Sequence, residues 1–122
     1  MLVRTTRLIA DLQVDHTAIT HNLATYGPFA ATEKLMMAAV RAGADRQVMH
    51  ELLREHSLLA WTAIREGAPN PLVDLVSAEP AFLALLPEEQ IRAAMDVSQY
   101  VGDAPERARR IAGQIDALLA AT

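Results

Sequence analysis

Residues 28–53, PFAATEKLMMAAVRAGADRQVMHELL, decide the fold class, because their apolar residues repeat at helical spacing. They predict one helix over residues 29–42 and a second over residues 46–66, which we expect to be the longest in the chain. Gly43 stands where a helix C-terminus favours glycine, and Asp45 stands where an N-cap favours a short acceptor side chain. The stretch therefore predicts two helices joined by a short turn.

Two further helices are predicted before this pair. Residues 2–13 have apolar side chains near helical spacing but no N-cap. Asp15 can cap the next helix, which we expect to end at Gly27, because glycine often follows the last helical residue. Pro28 would then restart the chain.

The C-terminal part of the chain predicts short helices and one longer one. Asn70 is expected to cap a helix with Pro71 at its first position, and two more short helices are expected to open at Pro80 and Pro87. Residues 96–103 are expected to be a loop. Asp103, with Glu106 three residues later, suggests a capping box for the last helix, whose predicted inward face is Ala108, Ile111, Ile115, Leu118 and Leu119.

The composition agrees with a helical domain. The chain has 122 residues, 52% of them hydrophobic and only 4% aromatic, so its core must consist mainly of Leu, Ile, Val, Ala and Met. Leu, Ala and Met favour helices, and no segment has the pattern of a strand. The predicted fold class is therefore all-α, a compact bundle of about six to seven helices.

Charge and composition also exclude several functions. The net charge of −4 and the lack of a long basic run argue against nucleic-acid binding. No apolar run approaches the roughly 20 residues of a membrane span, and the N-terminus lacks a signal-peptide pattern, so we expect a soluble, cytoplasmic protein. The absence of cysteine excludes disulfides and thiolate metal sites.

The segment HELLREH, which starts at His50, contains the only arrangement that suggests a metal site. A zincin helix needs a second histidine four residues after the first, but that position holds Arg54, a cation. His56 lies on another face of the helix. We therefore expect no metal and no cofactor, and the sequence shows no nucleophile elbow or phosphate-binding loop.

Three segments together resemble the C-terminal domain of adenylosuccinate lyases, in the fumarase/aspartase superfamily. LQVDHTAITHNLATYGPFAATEKLMMAAVRAGADRQVMHELLREHSLLA is similar to the family's Asn-Leu helix, turn, Thr-Glu or Ser-Glu helix start, glycine, and Arg-Gln or Arg-Glu helix with a His or Tyr. REGAPNPLVDLV is similar to the Glu-Gly-x-x-Asn-x-Leu segment of the eukaryote-like branch. MDVSQYVGDAPERARRI is similar to the family's Asp-to-Gly-x-Ala loop and final helix. The resemblance covers about residues 8–119.

The resemblance implies an intact enzyme that eliminates fumarate from adenylosuccinate, and from succinyl-carboxamide ribotide, in purine and AMP biosynthesis. The family's general acid is a histidine, and its base is a serine on a Ser-Ser-x-Met-Pro-x-Lys-x-Asn loop, which this sequence lacks. No residue is therefore assigned a catalytic, substrate-binding or metal-binding role, and we expect the chain alone to be inactive. Its implied partners are the rest of the lyase chain and a homotetramer.

The resemblance also implies a division of the chain. Residues 1–13 are expected to be the end of a longer, central-bundle helix, which would explain the missing N-cap, and residues 14–122 the C-terminal helical domain. Structural roles are expected for the motif residues Asn22, Gly27, Thr32, Glu33, Gly43, Arg46, His50, Asn70, Tyr100 and Gly102.

Some of these residues leave two interpretations open. Thr32 and Glu33 are predicted in the first turn of the third helix, and Arg46 and His50 lie one turn apart on the fourth. We expect them to make polar contacts at a helix–helix seam, because buried polar groups need partners; the alternative is a supporting role near a substrate cleft.

Alternatives also remain for the function of the whole chain. It could be a stand-alone all-α protein-interaction module, docking through Trp61 and the apolar face of residues 2–12. It could also be the equivalent domain of another superfamily lyase, such as argininosuccinate lyase.

Overall fold

A long helical hairpin, covered on one side by short helices, organises the molecule. The structure is a computed structural model that describes residues 2–121, and within that range it contains no strand, which confirms the all-α class. Its helices are α1 (Leu2–Ala10), α2 (His16–Arg41), α3 (Arg46–Arg65), α4 (Leu72–Ser77), α5 (Pro80–Leu83), α6 (Glu88–Ala94), a 3₁₀ helix (Val97–Val101) and α7 (Ala104–Ala120).

The predicted break at Gly27 and Pro28 is wrong, because α2 runs through both residues and buries Pro28 in its interior. A proline normally ends a helix, partly because its Cδ collides with the Cβ of the preceding residue. Gly27 has no Cβ, so it can stay helical beside the proline ring. As a result α2, with 26 residues, is longer than α3, with 20, which was expected to be the longest helix.

Gly27 has a second role, which is close packing. A Cβ built on Gly27 would lie 2.7 Å from Cγ2 of Val97, so only glycine lets the 3₁₀ helix approach α2 this closely. The segment around Val97 was expected to be a loop, but Asp96 caps it as a 3₁₀ helix by accepting a 3.0 Å hydrogen bond from the Ser98 N–H. Tyr100 holds its far end by donating from Oη to the Ala94 carbonyl at 3.0 Å.

Several predicted helix ends are confirmed. Asp15 accepts a hydrogen bond from the Ala18 N–H at 2.9 Å, and Asp45 accepts from the Gln47 and Val48 N–H groups at 2.8 and 3.0 Å. Gly43 follows the C-cap residue Ala42 of α2 and adopts φ +102°, a conformation that other residues rarely adopt.

Two predicted caps differ from the structure. Asp103 makes no cap hydrogen bond at the start of α7, and its carboxylate instead pairs with Arg107 at 3.1 Å. Asn70 does accept from the Leu72 N–H at 2.9 Å, but Pro71 occupies the N-cap position, so Asn70 lies one residue outside the helix. The Asn70 amide also donates to the Thr25 carbonyl at 2.7 Å, which ties α4 to α2 just before Pro28.

The core lies between the second half of α2, α3 and the short helices α4 to α6. Its largest fully buried side chains are Phe82, Leu35, Leu72, Ile91 and Val76. Small residues on the hairpin, such as Ala31 and Ala39, are also fully buried and let the helices pack closely.

The remaining helices lie outside this core. The predicted inward face of α7 is wrong for this chain, since no α7 side chain among the described residues is buried and Ile115 is 51% exposed. Leu8 on α1 is 73% exposed, and the first half of α2 also presents apolar side chains. None of the described helices combines the length and hydropathy that crossing a membrane requires.

Candidate functional site: the α2–α3 cleft

Four motif residues from two consecutive helices line one cleft between α2 and α3, which we call the α2–α3 cleft. Thr32 and Glu33 come from α2, and Arg46 and His50 come from α3. The cleft has a volume of about 450 Å³, within the usual range of small-molecule sites. The hairpin therefore brings two residues of α2 next to two residues of α3.

The cleft has an apolar floor and a polar rim. Met36 and Leu53 form the floor and are almost fully buried, with 7% and 5% of their surface exposed. Arg54 and the half-buried Ser57 extend the rim along α3. A buried apolar floor lowers the local dielectric and strengthens interactions with the charged groups above it.

The basic residues of the rim follow from helix geometry. Arg46, His50 and Arg54 are spaced four residues apart, so they lie on the same face of α3 and span about 12 Å along it. The Asp45 cap fixes where α3 begins. The cap therefore contributes to the position of all three side chains.

Arg54 is already engaged in one ion pair at the outer edge of the cleft. Its Nε donates to Glu51 Oε2 at 2.9 Å, and its Nη2 donates to the other carboxylate oxygen. The Arg54 hydrogen bond is the main reason that the pKa of Glu51 lies below its ordinary value. Two of the five guanidinium N–H groups serve this pair, so others remain for a further acceptor.

The α2 side of the cleft contributes different chemistry. Thr32 and Glu33 lie in the interior of α2, and not in a first helical turn as predicted, because α2 has no break at Pro28. Thr32 Oγ1 donates to the Phe29 carbonyl at 2.8 Å, so its hydroxyl hydrogen is used within the helix. Within residues 2–121, no hydrogen bond or ion pair joins the side chains of Glu33, Arg46 or His50 to another group.

The other motif residues lie away from the cleft, at turns and contacts between helices. Gly27 contacts the 3₁₀ helix, and Asn70 joins α4 to α2. Tyr100 donates to the Ala94 carbonyl, and its pKa is raised mainly by burial of the hydroxyl and also by the charge of Glu33. Gly43 and Gly102 occupy turns with positive φ, and Asn22 is exposed on the first half of α2.

Sequence reasoning missed Arg54 and Ser57 as lining residues. The four-residue step from Arg46 through His50 to Arg54 was a usable signal, since it places all three on one helix face. His56, considered with His50 as a metal ligand pair, faces elsewhere: its Nε2 lies 2.9 Å from Glu79 Oε2. Glu79 in turn caps α5 by accepting from the Ala81 N–H at 3.2 Å.

Fold and site together define an all-α domain built on a long helical hairpin, with a polar cleft between α2 and α3 and with exposed apolar side chains on α1 and α7. The chain matches the family model described as "Adenylosuccinate lyase C-terminus" over residues 28–111. The chain belongs to this family.

Curated relatives agree with this assignment. The chain is 36% identical to the adenylosuccinate lyase of Schizosaccharomyces pombe over 81 residues, and 33% identical to that of Saccharomyces cerevisiae over 84 residues. These alignments cover 66% and 68% of this chain but only 16% and 17% of the two relatives. The adenylosuccinate lyase of Synechocystis is 28% identical over 106 residues, which is 87% of this chain and 24% of the relative. The chain therefore spans only a small part of each relative's length.

Proposed function

We propose that this chain acts as the C-terminal domain of an adenylosuccinate lyase and completes the fold of that enzyme. The family match over residues 28–111 carries the proposal. The complete enzyme would eliminate fumarate from adenylosuccinate and from succinyl-carboxamide ribotide, in the purine and AMP biosynthesis of the cytoplasm. The chemistry would belong to parts of the lyase that this chain does not contain.

Apolar surface on α1 and α7 supports a docking role. On α1, Leu8 and Ile9 are exposed. On α7, Leu118 and Leu119 are 70% and 71% exposed. Large apolar side chains grouped on helix faces usually mark contact surfaces. In the proposed enzyme, residues 1–13 would be the end of a central-bundle helix, and these faces would contact the rest of the lyase chain and its homotetramer.

The polar residues of the α2–α3 cleft would support the domain without taking part in the elimination. Thr32, Glu33, Arg46 and His50 line one cleft of the α2–α3 hairpin, which supports a role beside this helix–helix seam, although the one hydrogen bond that their side chains make within residues 2–121 runs from Thr32 to Phe29 within α2. No catalytic role is assigned to them, because the sequence holds neither the family's serine loop nor a histidine at its catalytic position.

A domain-replacement experiment tests the proposal. The C-terminal domain of the Saccharomyces cerevisiae lyase would be replaced by this chain, and fumarate release from adenylosuccinate would be measured. The chimera is expected to be active, while the yeast enzyme without any C-terminal domain is expected to lose activity. A folded chimera without activity would contradict the proposal.

The isolated chain provides the second measurement. It is expected to release no fumarate, because general acid and general base must be positioned together on the substrate. Turnover of adenylosuccinate by the purified 122-residue chain would disprove this part of the proposal. An inactive chimera together with specific capture of an unrelated protein partner by the apolar faces would instead favour the interaction-module alternative.

A further inference from the structure

We propose that the α2–α3 cleft binds a small oxyanion, either a phosphate group or a dicarboxylate, against the basic side chains of α3. The proposal does not depend on the lyase assignment. It follows from the concentration of cationic donors on one wall of a concave site with a buried apolar floor. Nothing in the elimination chemistry proposed above uses this cleft.

The wall of α3 offers donors at regular spacing. Arg46, His50 and Arg54 project from one helix face over about 12 Å, a span that a phosphate or a four-carbon dicarboxylate can partly bridge. The Arg46 guanidinium makes no hydrogen bond or ion pair within residues 2–121, so all its donors are available. Planar guanidinium groups bind carboxylate and phosphate oxygens in a bidentate manner.

Neutral groups and the floor complete the site. Ser57 is half-buried at the end of the rim, and its hydroxyl can donate to an anion. Met36 and Leu53 give the cleft a buried apolar bottom, and apolar surroundings strengthen charge–charge interactions nearby. Thr32 is less suited to donate, because its hydroxyl already bonds to the Phe29 carbonyl at 2.8 Å.

One acidic residue opposes anion binding and makes the proposal easy to test. Glu33 lines the cleft from α2 and would repel an oxyanion, so the ligand would lie on the α3 side. The carboxylate of Glu51 already pairs with Arg54 and offsets its charge. Arg46, which has no such partner among the described residues, would therefore attract the oxyanion most strongly. Removing the charge of Arg46 should therefore lower the affinity for the oxyanion, and removing the charge of Glu33 should raise it.

The experiment is a titration of the full 122-residue chain, labelled with ¹⁵N, with sodium phosphate and separately with sodium succinate. Sodium chloride would hold the ionic strength constant, because screening alone changes surface electrostatics. Amide shifts should concentrate on residues around the α2–α3 cleft. Arg46→Gln should raise the apparent Kd about tenfold, which corresponds to about 1.4 kcal/mol, whereas Glu33→Gln should lower it about twofold to threefold.

Arg65→Gln is the matched control, because Arg65 is an arginine of the same helix that does not line the cleft. It should leave the Kd unchanged within about twofold. Arg46→Lys keeps the charge but loses the planar pair of donors, so its affinity should lie between that of the unchanged chain and that of Arg46→Gln. Circular dichroism would establish that each variant is folded. Arg54→Gln is a second test if Arg46→Gln does not fold.

Each outcome decides the proposal. Saturable cleft shifts with either anion, together with the Arg46 and Glu33 effects, support it, and the preferred anion shows whether the ligand chemistry is phosphate or dicarboxylate. Shifts no larger than those with chloride overturn it. An equal loss of affinity in Arg46→Gln and Arg65→Gln also overturns it, since binding would then reflect the overall charge of α3 and not the cleft.

Discussion

The second half of α2 and the whole of α7 have similar compositions but opposite surroundings. Both are rich in Ala, Leu or Ile at helical spacing, yet Leu35 on α2 is fully buried while Ile115 on α7 is half exposed. The difference lies in neighbours, because α3, α4 and α6 cover α2, and none of the described helices covers the apolar face of α7. An amphipathic pattern therefore predicts that a helix has a partner, but not that the partner belongs to the same chain.

The largest expected effect comes from truncating a fully buried side chain of the core that covers α2, in contrast to an exposed side chain of α7. Phe82→Ala removes a fully buried ring and should lower the free energy of unfolding by about 3–5 kcal/mol. Ile115→Ala should change it by less than about 0.5 kcal/mol, because exposed substitutions are usually near neutral. Urea denaturation of the isolated chain measures both. Equal losses would show that α7 packs against this core after all.

A change at Gly27 tests whether close packing extends from the core to the 3₁₀ helix. Gly27→Ala places a methyl group 2.7 Å from Val97 Cγ2 and beside the ring of Pro28, so we expect a loss of about 1–3 kcal/mol. The double variant with Val97→Ala should recover part of this loss, since the second change removes the colliding methyl groups. Thermal unfolding of the single and double variants measures the coupling. No recovery would assign the effect to the backbone next to Pro28.

Helix caps give a third comparison between the core hairpin and α7. Asp45→Ala removes an acceptor of two backbone N–H groups at the start of α3 and should cost about 1 kcal/mol. Asp103→Ala at the start of α7 should cost less than about 0.5 kcal/mol, because Asp103 makes no cap hydrogen bond and only an exposed pair with Arg107. Denaturant midpoints distinguish the two. A larger effect at Asp103 would contradict the observed difference between the caps.

Local signals predicted part of the fold, because some features depend on only a few neighbouring residues. Asp45 and Gly43 mark the turn of the hairpin through capping chemistry and positive φ, both readable in the sequence. Pro28 misled the prediction, because its usual effect on a helix is offset by Gly27, whose role depends on Val97, a residue 70 positions away. The capping box predicted at Asp103 is also absent, and the Asp103 carboxylate pairs with Arg107.

The cleft was predictable only in part. The basic face of α3 follows from the spacing of Arg46, His50 and Arg54, which is a local property. Glu33 and Thr32 face the basic side chains of α3 because of the way α2 packs against α3. That packing depends on the burial of residues such as Ala39 and Met49. Sequence patterns within one helix contain no information about this register.

The smallest expected effect on stability comes from the ion pair between Glu51 and Arg54 at the exposed edge of the α2–α3 cleft. This surface pair contrasts with the buried core. Glu51 has its pKa held below the ordinary value mainly by the Arg54 hydrogen bond. A depressed pKa in the folded state means that the pair stabilises the protein at neutral pH, and that this contribution is lost as the pH falls through the folded-state pKa. Glu51→Gln should therefore lower the thermal midpoint slightly at neutral pH and leave it unchanged once the carboxyl is protonated. Because the Glu51 side chain is exposed, the difference should be close to the detection limit, far below that of Phe82→Ala. A difference that grows as the pH falls would have the wrong sign for this pair, and would mean that the carboxylate of Glu51 destabilises the folded hairpin.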